Sequence, residues 1–412
     1  MHSISRPTLN EASSFAGTSF TQGSRRHRRR ATFIVVAAVT TALVGSAGPA
    51  AAHDGTEGHD QGKGFKQVNL VSDIPKLASI TDDLVKNPWG IDFGPDTPLW
   101  VNNQVTNTVT IYKGATEADP SITKLPLVVS ANTPTGIVFN PTNEFQVAAQ
   151  GGKTAKADFL FDENPGAFAP DPGGPRAEIS GWSRKSGLAS TDVKVTIPGN
   201  AYGGLTIVPA QGTSGPLLLN ASILGPVDVY DGEFQPVDLG PDAFVDPVAK
   251  AQGIAPYNVQ YLRGRVYVAY ETSLSVFTRT GKLIQRIADP SLVVPWGMVI
   301  APKDWGEFGG ALLVGNVGDG MINAFNPRTG KHLGTLKDEN GKPLVNPGLW
   351  GLKFGNGVFG TPQTLVFAAG IGEGVDLGGL ETYQHGLIGS IEPVGDDDGH
   401  DDHGGHGGHG ND

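Results

Sequence analysis

One phrase recurs six times along this chain: a Pro or Ala, an aromatic or small residue, then Gly or Asn, opening a short apolar strand. It appears as Asn87-Pro88-Trp89-Gly90-Ile91, Thr133-Pro134-Thr135-Gly136-Ile137, Asn200-Ala201-Tyr202-Gly203-Gly204-Leu205, Ala255-Pro256-Tyr257-Asn258-Val259, Val294-Pro295-Trp296-Gly297-Met298 and Pro347-Gly348-Leu349-Trp350-Gly351-Leu352. Each is followed by a second apolar run (Leu99 to Val101, Phe159 to Phe161, Leu217 to Leu219, Val266 to Ala269, Leu312 to Val314, Leu365 to Phe367). A third run comes next, at Val109 to Tyr112, Ile179 to Trp182, Val227 to Tyr230, Leu274 to Phe277, Met321 to Phe325 and Leu387 to Ile391. Fourth strands are expected at Leu125 to Val129, Val193 to Ile197, Pro236 to Leu239, Leu283 to Ile287 and His332 to Leu336, whereas the sixth repeat runs out of chain. Four short antiparallel strands repeated six times predict an all-β, six-bladed β-propeller. The missing outer strand is expected at Gln67 to Val71, so that the two ends of the chain close the ring and leave no bare edge.

Composition agrees with this reading. Of 412 residues 59 are Gly and 30 are Pro, and only 17% are charged, so few stretches are free of breakers long enough to make a helical protein. Between Gly90, Gly136, Gly203, Asn258, Gly297 and Gly351 the spacing runs from 39 to 67 residues, the longest step carrying an insertion around Gly151 to Arg176. Cysteine is absent, which removes disulfides, thiolate zinc sites and cysteine nucleophiles.

Residues 1–52 read as a signal peptide with a long basic n-region: Arg25-Arg26-His27-Arg28-Arg29-Arg30 precedes an uncharged run whose apolar heart is Phe33 to Val44, and Ala50-Ala51-Ala52 offers a cleavage site before His53. The strongly apolar part is too short for a membrane span, so a secreted, extracytoplasmic product with no membrane span after cleavage is expected. Removing the leader's six arginines and one glutamate leaves 24 basic against 40 acidic residues, a balance that argues against a nucleic-acid partner. Residues 53–65 form a His/Asp/Gly segment expected to be disordered, 66–394 the propeller, and 395–412 a second disordered His/Asp/Gly-rich tail.

The phrases Asn87-Pro88-Trp89-Gly90, Val294-Pro295-Trp296-Gly297, Leu312 to Gly320 with Ile322-Asn323-Ala324-Phe325, Leu349 to Leu352 with Phe354 to Gly357, and His385 to Ile391 resemble those of a family of exported bacterial proteins with NHL-like propeller repeats. The likeness covers about Gln67 to Pro393. It implies the propeller fold and export, and brings no activity with it.

Among chemical motifs, Gly355-Asn356-Gly357-Val358-Phe359-Gly360 spells a dinucleotide loop but lies between two strands with no helix to receive a pyrophosphate, and reads as a hairpin turn. No Walker A loop, HExxH, EF-hand loop or GxSxG elbow occurs in the mature chain. In a propeller, the loops entering the inner strands and those joining second to third strands open on one face, at a channel mouth. That placement gathers Asn102, Asn103, Tyr202, Asn220, Tyr257, Glu271, Asn316, Asp319, Glu373 and His385 as ligand-binding candidates, with Thr135, Asp162 and Glu163 beside them. Rings that stack and amides that orient suit a small polar ligand, a sugar or a peptide. Trp89, Trp296 and Trp350 share one repeat position, as wedges packed between blades would, and Asp319-Gly320 also reads as a turn.

Oxygen-bearing residues of this set suit Ca²⁺ in the channel, and His385 is the one histidine placed as a general base at its mouth. The tails carry the sharper metal signal: His400, His403, His406 and His409 recur every third residue, with His53 and His59 after the leader, a spacing suited to Zn²⁺, Ni²⁺ or Cu²⁺. The sequence thus reads as an exported, monomeric binding or scaffold propeller with a ligand site at the channel mouth, a metal-binding His-rich tail and no assigned catalytic residues. Two rival readings are a propeller lyase or lactonase-like enzyme with a channel-bound cation, and a metal-capture protein whose propeller carries the tail.

Overall fold

The structure is a computed structural model that describes residues 64–168, 170–372 and 383–395. Its strands form six radial sheets and one separate two-stranded hairpin. From the axis outward, blade 1 comprises Pro88–Asp92, Leu99–Asn103, Thr108–Gly114 and Ile122–Lys124; blade 2 comprises Pro134–Phe139, Phe159–Glu163, Arg176–Trp182 and Asp192–Pro198. Blade 3 has Tyr202–Val208, Leu217–Ser222 and Val227–Tyr230; blade 4 has Asn258–Leu262, Arg265–Tyr270, Ser273–Phe277 and Leu283–Ala288. Blade 5 holds Pro295–Ile300, Leu312–Asn316, Ile322–Phe325 and His332–Thr335. Blade 6 holds Leu349–Phe354, Leu365–Ala369 and Leu387–Pro393, and its outer strand is Phe65–Ser72, which pairs antiparallel with Leu387–Pro393 in a register that sets Gln67 opposite Ile391. The ring therefore closes through the N-terminal strand, as the missing sixth outer strand requires.

Each seam between neighbouring blades is filled by an apolar cluster, and a seventh cluster sits on the axis. The second strands contribute to every one of these seams because both of their faces meet another blade. Leu99–Asn103 and Leu312–Asn316 are buried at every residue, which explains why they read as unbroken apolar runs rather than alternating ones.

The recurrent glycine has a steric origin. A Cβ on Gly90 would stand 2.5 Å from the Thr135 carbonyl oxygen of blade 2, and one on Gly297 would stand 2.4 Å from the Trp350 carbonyl oxygen of blade 6. Neighbouring inner strands touch backbone to backbone at this level, so any side chain would push the ring apart. Blade 4 solves the same problem differently: Asn258 replaces the glycine and its Nδ2 donates to the Trp296 carbonyl at 2.7 Å. Just before the glycines the inner strands slip out of register with their second strands, as between Pro88 and Ile91, Pro295 and Gly297, and Leu349 and Leu352. Such bulges re-aim side chains, here turning the tryptophans toward the axis. The residue before the inner-strand proline is left-handed in three blades, at Asn87 (φ 45°), Thr133 (φ 53°) and Val294 (φ 50°), the last a strained position for a β-branched residue.

The outer strands depart from expectation in two places. In blade 1 the ladder runs at Ile122–Lys124 and resumes at Val129–Ser130 rather than spanning Leu125 to Val129, because Pro126 has no N–H to give. Pro236 to Leu239 is not a strand: Pro236 makes one isolated bridge with Tyr230, and blade 3 keeps three strands. The insertion in blade 2 contains a hairpin, Gln146–Ala149 with Lys153–Lys156, that the sequence did not signal. Among the described residues no helix is long and apolar enough to cross a membrane.

Candidate functional site

The three repeated tryptophans meet on the axis rather than acting as separate wedges between blades. Trp89 and Trp350 stack with ring centroids 3.8 Å apart, and Trp296 presents its edge to both, at 6.5 and 6.1 Å. Phe168, Tyr257 and Tyr383 pack around them. Trp350 Nε1 donates to Asn87 Oδ1 and Trp296 Nε1 to the Gly203 carbonyl, which fixes both indoles. At 5–8% exposure the three rings fill the channel where the inner strands begin.

From this plug the inner strands run to the opposite face, and there the channel is open. A cavity of about 450 Å³ is lined by inner-strand residues of all six blades, with Trp296 as its floor. Ile91, Ile137, Ile207, Met298 and Leu352 form its wall, and Phe93, Phe139, Tyr261 and Phe354 bring aromatic surface toward the far end. Polar groups are few: Asp92, Thr206, Asn258, Gln260, Lys353 and Asn356. Lys353 Nζ lies 2.5 Å from Asp92 Oδ1 and 5.9 Å from the Phe93 ring centre. Asp92 is oriented by the amides of Phe93 and Phe139, and Asn356 donates to the carbonyls of Gly94 and Thr97, tying the rim of blade 6 to blade 1. The Lys353–Asp92 pair leaves the site without net charge of its own.

Most of the polar residues placed at the mouth by sequence are used inside the protein. Asn102 donates to the carbonyls of Thr135 and Gly136, Asn103 to Thr110, and Asn316 to the Ser291 carbonyl, all from buried positions. Tyr202 donates from its hydroxyl to Asp228, and Asn220 to Asp162. Asp319 accepts from the Met321 amide, closing a turn. Tyr257 and Glu271 are half-buried near the plug, and burial, followed by the Glu271 charge, pushes the Tyr257 hydroxyl above its usual range. His385 Nδ1 is 2.7 Å from Asp73 Oδ2, while Asp73 Oδ1 accepts from the Gly386 amide. None of these residues lines the cavity. Glu373 and the histidines at 53, 59, 400, 403, 406 and 409 lie outside the described residues.

The cavity residues Asp92, Gln260 and Lys353 escaped sequence reasoning, because each sits toward the far end of an inner strand and looks like an ordinary strand-end polar residue. The available signal was topological: if the aromatic residues at strand starts face the axis, the residues three positions later (Asp92 after Trp89, Gln260 after Tyr257, Lys353 after Trp350) stand at the other end of the same inner strands.

No family model matches the chain. It is similar to an uncharacterised protein of Acanthamoeba polyphaga mimivirus, 28% identical over 347 residues that make up 78% of each chain. A second uncharacterised protein of the same virus is 40% identical over 80 residues, 19% of this chain and 21% of its own. These relatives are viral, and neither a bacterial family nor NHL repeats are shown by them. Among solved structures, a streptogramin B lyase aligns with a TM-score of 0.41 and 14% identity over 80% of this chain and 97% of its own. A luciferin-regenerating enzyme aligns with a TM-score of 0.42 and 11% identity over 76% and 94%. The propeller architecture rests on the sheet topology itself.

Proposed function

We propose that this chain is an exported, NHL-like binding propeller that takes a small, uncharged polar ligand, a saccharide or short peptide, into its axial channel from the face opposite the tryptophan plug. The observation that carries the reading is the 450 Å³ cavity lined by all six inner strands, a volume within the range of small-molecule sites. Aromatic and aliphatic walls with a few oriented polar groups are what such sites use to combine affinity with specificity. The internally neutralised Lys353–Asp92 pair favours a ligand that offers hydrogen bonds rather than charge. Export rests on the leader, and the His-rich tail is a separate Zn²⁺, Ni²⁺ or Cu²⁺ ligand set.

Ligand-observed NMR against a panel of neutral saccharides and short peptides tests the reading. Gln260→Trp, which fills the cavity from a half-buried position, should abolish binding of any hit, whereas His385→Ala on the plugged face should leave it unchanged. Binding that survives Gln260→Trp and is lost with His385→Ala would move the site to the other mouth. The enzymatic alternative draws on one observation, the imidazole of His385 held by Asp73, an arrangement that suits a general base.

A further inference from the structure

The seam between blades 2 and 3 contains buried oxygens whose hydrogen-bond needs are not met. Asp162, on the second strand of blade 2, and Asn220, on that of blade 3, are both fully buried. Asn220 Nδ2 donates to Asp162 Oδ1 at 2.5 Å, yet Asp162 Oδ2 and Asn220 Oδ1 have no hydrogen-bond partner among the described residues. Asp228 sits directly across the strand pair from Asn220 and adds a second carboxylate. The Tyr202 hydroxyl donates to Asp228 Oδ2 at 2.7 Å and lies 2.9 Å from the Tyr230 hydroxyl. With the proton of Tyr202 engaged by Asp228, Tyr230 donates to Tyr202, and neither phenol has a proton left for Asp162.

No Lys, Arg or His forms an ion pair with Asp162 or Asp228 among the described residues. A buried carboxylate with an empty oxygen beside an equally empty amide oxygen is costly unless a positive charge lies between them.

We propose that this seam is a binding site for a hard cation, Ca²⁺, held by Asp162 Oδ2 and Asn220 Oδ1 with the Asp228 carboxylate and the Tyr230 hydroxyl as further oxygens. The donor set is oxygen only, carries two carboxylates and includes a carboxamide, which selects Ca²⁺ over the softer transition metals. It lies against the inner strand of blade 2, since a Cβ on Gly136 would stand 2.9 Å from Asp162 Oδ2. The ion thus clamps two blades next to the channel wall and is separate from the histidine tail.

Terbium luminescence on the full-length mature protein tests the site, because Tyr230 and Tyr202 are placed to sensitise a bound Tb³⁺. The expected result is saturable, tyrosine-sensitised emission that Ca²⁺ displaces, with Asp162→Asn and Asp228→Asn each weakening Tb³⁺ binding at least tenfold. Ca²⁺ should raise the melting temperature of chelator-treated wild type and leave that of Asp162→Asn unmoved, since only binding to the folded state stabilises it. Equal emission from wild type and both variants would assign the metal to the acidic tail and overturn the proposal. A wild type indifferent to Ca²⁺, with an infrared carboxylic-acid band that Asp162→Asn removes, would overturn it too and make the occupant a proton.

Discussion

Replacing Phe65 by Ala tests whether the N-terminal strand closes the ring. Phe65 is 1% exposed, with its ring centroid 4.7 Å from that of Trp305 and 5.9 Å from that of Phe308, and its backbone amide donates to the Lys337 carbonyl. A buried Phe removes roughly 200 Å² from water, which at about 25 cal/mol per Å² is about 5 kcal/mol. Truncations of buried Phe cost about 3–5 kcal/mol, so the two routes agree. In urea, with a slope of about 3 kcal/mol per molar for a domain of this size, the midpoint should fall by about 1–1.7 M. Val68→Ala on the same strand is the control: Val68 is 41% exposed and its loss should cost under about 0.5 kcal/mol. Fluorescence-detected urea unfolding of the mature protein reads both variants. If Phe65→Ala unfolds at the wild-type midpoint, the strand does not close the ring in solution and the edge of blade 6 is protected some other way.

Gly297→Ala should destabilise by about 1–3 kcal/mol, because its Cβ would meet the Trp350 carbonyl, whereas Gly215→Ala, with open space around it, should be near neutral; thermal melts of both decide. At Asp246 burial acts to raise the carboxyl, but hydrogen bonds from Ser275 and from the Val248 and Ala249 amides, with the Arg286 charge, outweigh it and hold the group below its usual range. The stability it contributes is therefore present above the unfolded value of about 3.9 and lost as pH falls through the folded value, so Asp246→Asn should be less stable than wild type at pH 7, with the gap closing in acid. Deleting 395–412 should remove most Zn²⁺ uptake with little change in melting temperature, and uptake by the intact chain should fade as pH falls below about 6.5 in calorimetric titrations.

The inner strands were legible because one steric demand, backbone contact between neighbouring blades, repeats the same glycine around the ring. The second strands were legible because burial on both faces leaves no alternation to misread. The outer strands were less so: Pro126 and Pro236 interrupt ladders at the rim, where few contacts constrain the residue type. The mouth was misjudged in two respects, the role of its tryptophans and that of its amides. Trp89, Trp296 and Trp350 are set by bulges that turn them onto the axis, and a bulge leaves no mark in a strand pattern. Asn102, Asn103 and Asn316 look like ligand residues in sequence because amides at strand ends so often are, but here each reaches a neighbouring carbonyl or hydroxyl inside the core.

Methionine methyl NMR tests the channel assignment most directly. The chain has three methionines, Met1 outside the described residues, Met298 in the cavity wall and Met321 outside the cavity, so the protein carries its own reporter and its own control. Titration with a saccharide or peptide identified as a binder should shift the Met298 methyl resonance and leave that of Met321 in place. A ligand that binds without moving Met298, while shifting the indole resonance of Trp89, would contradict the account and place the site on the plugged face.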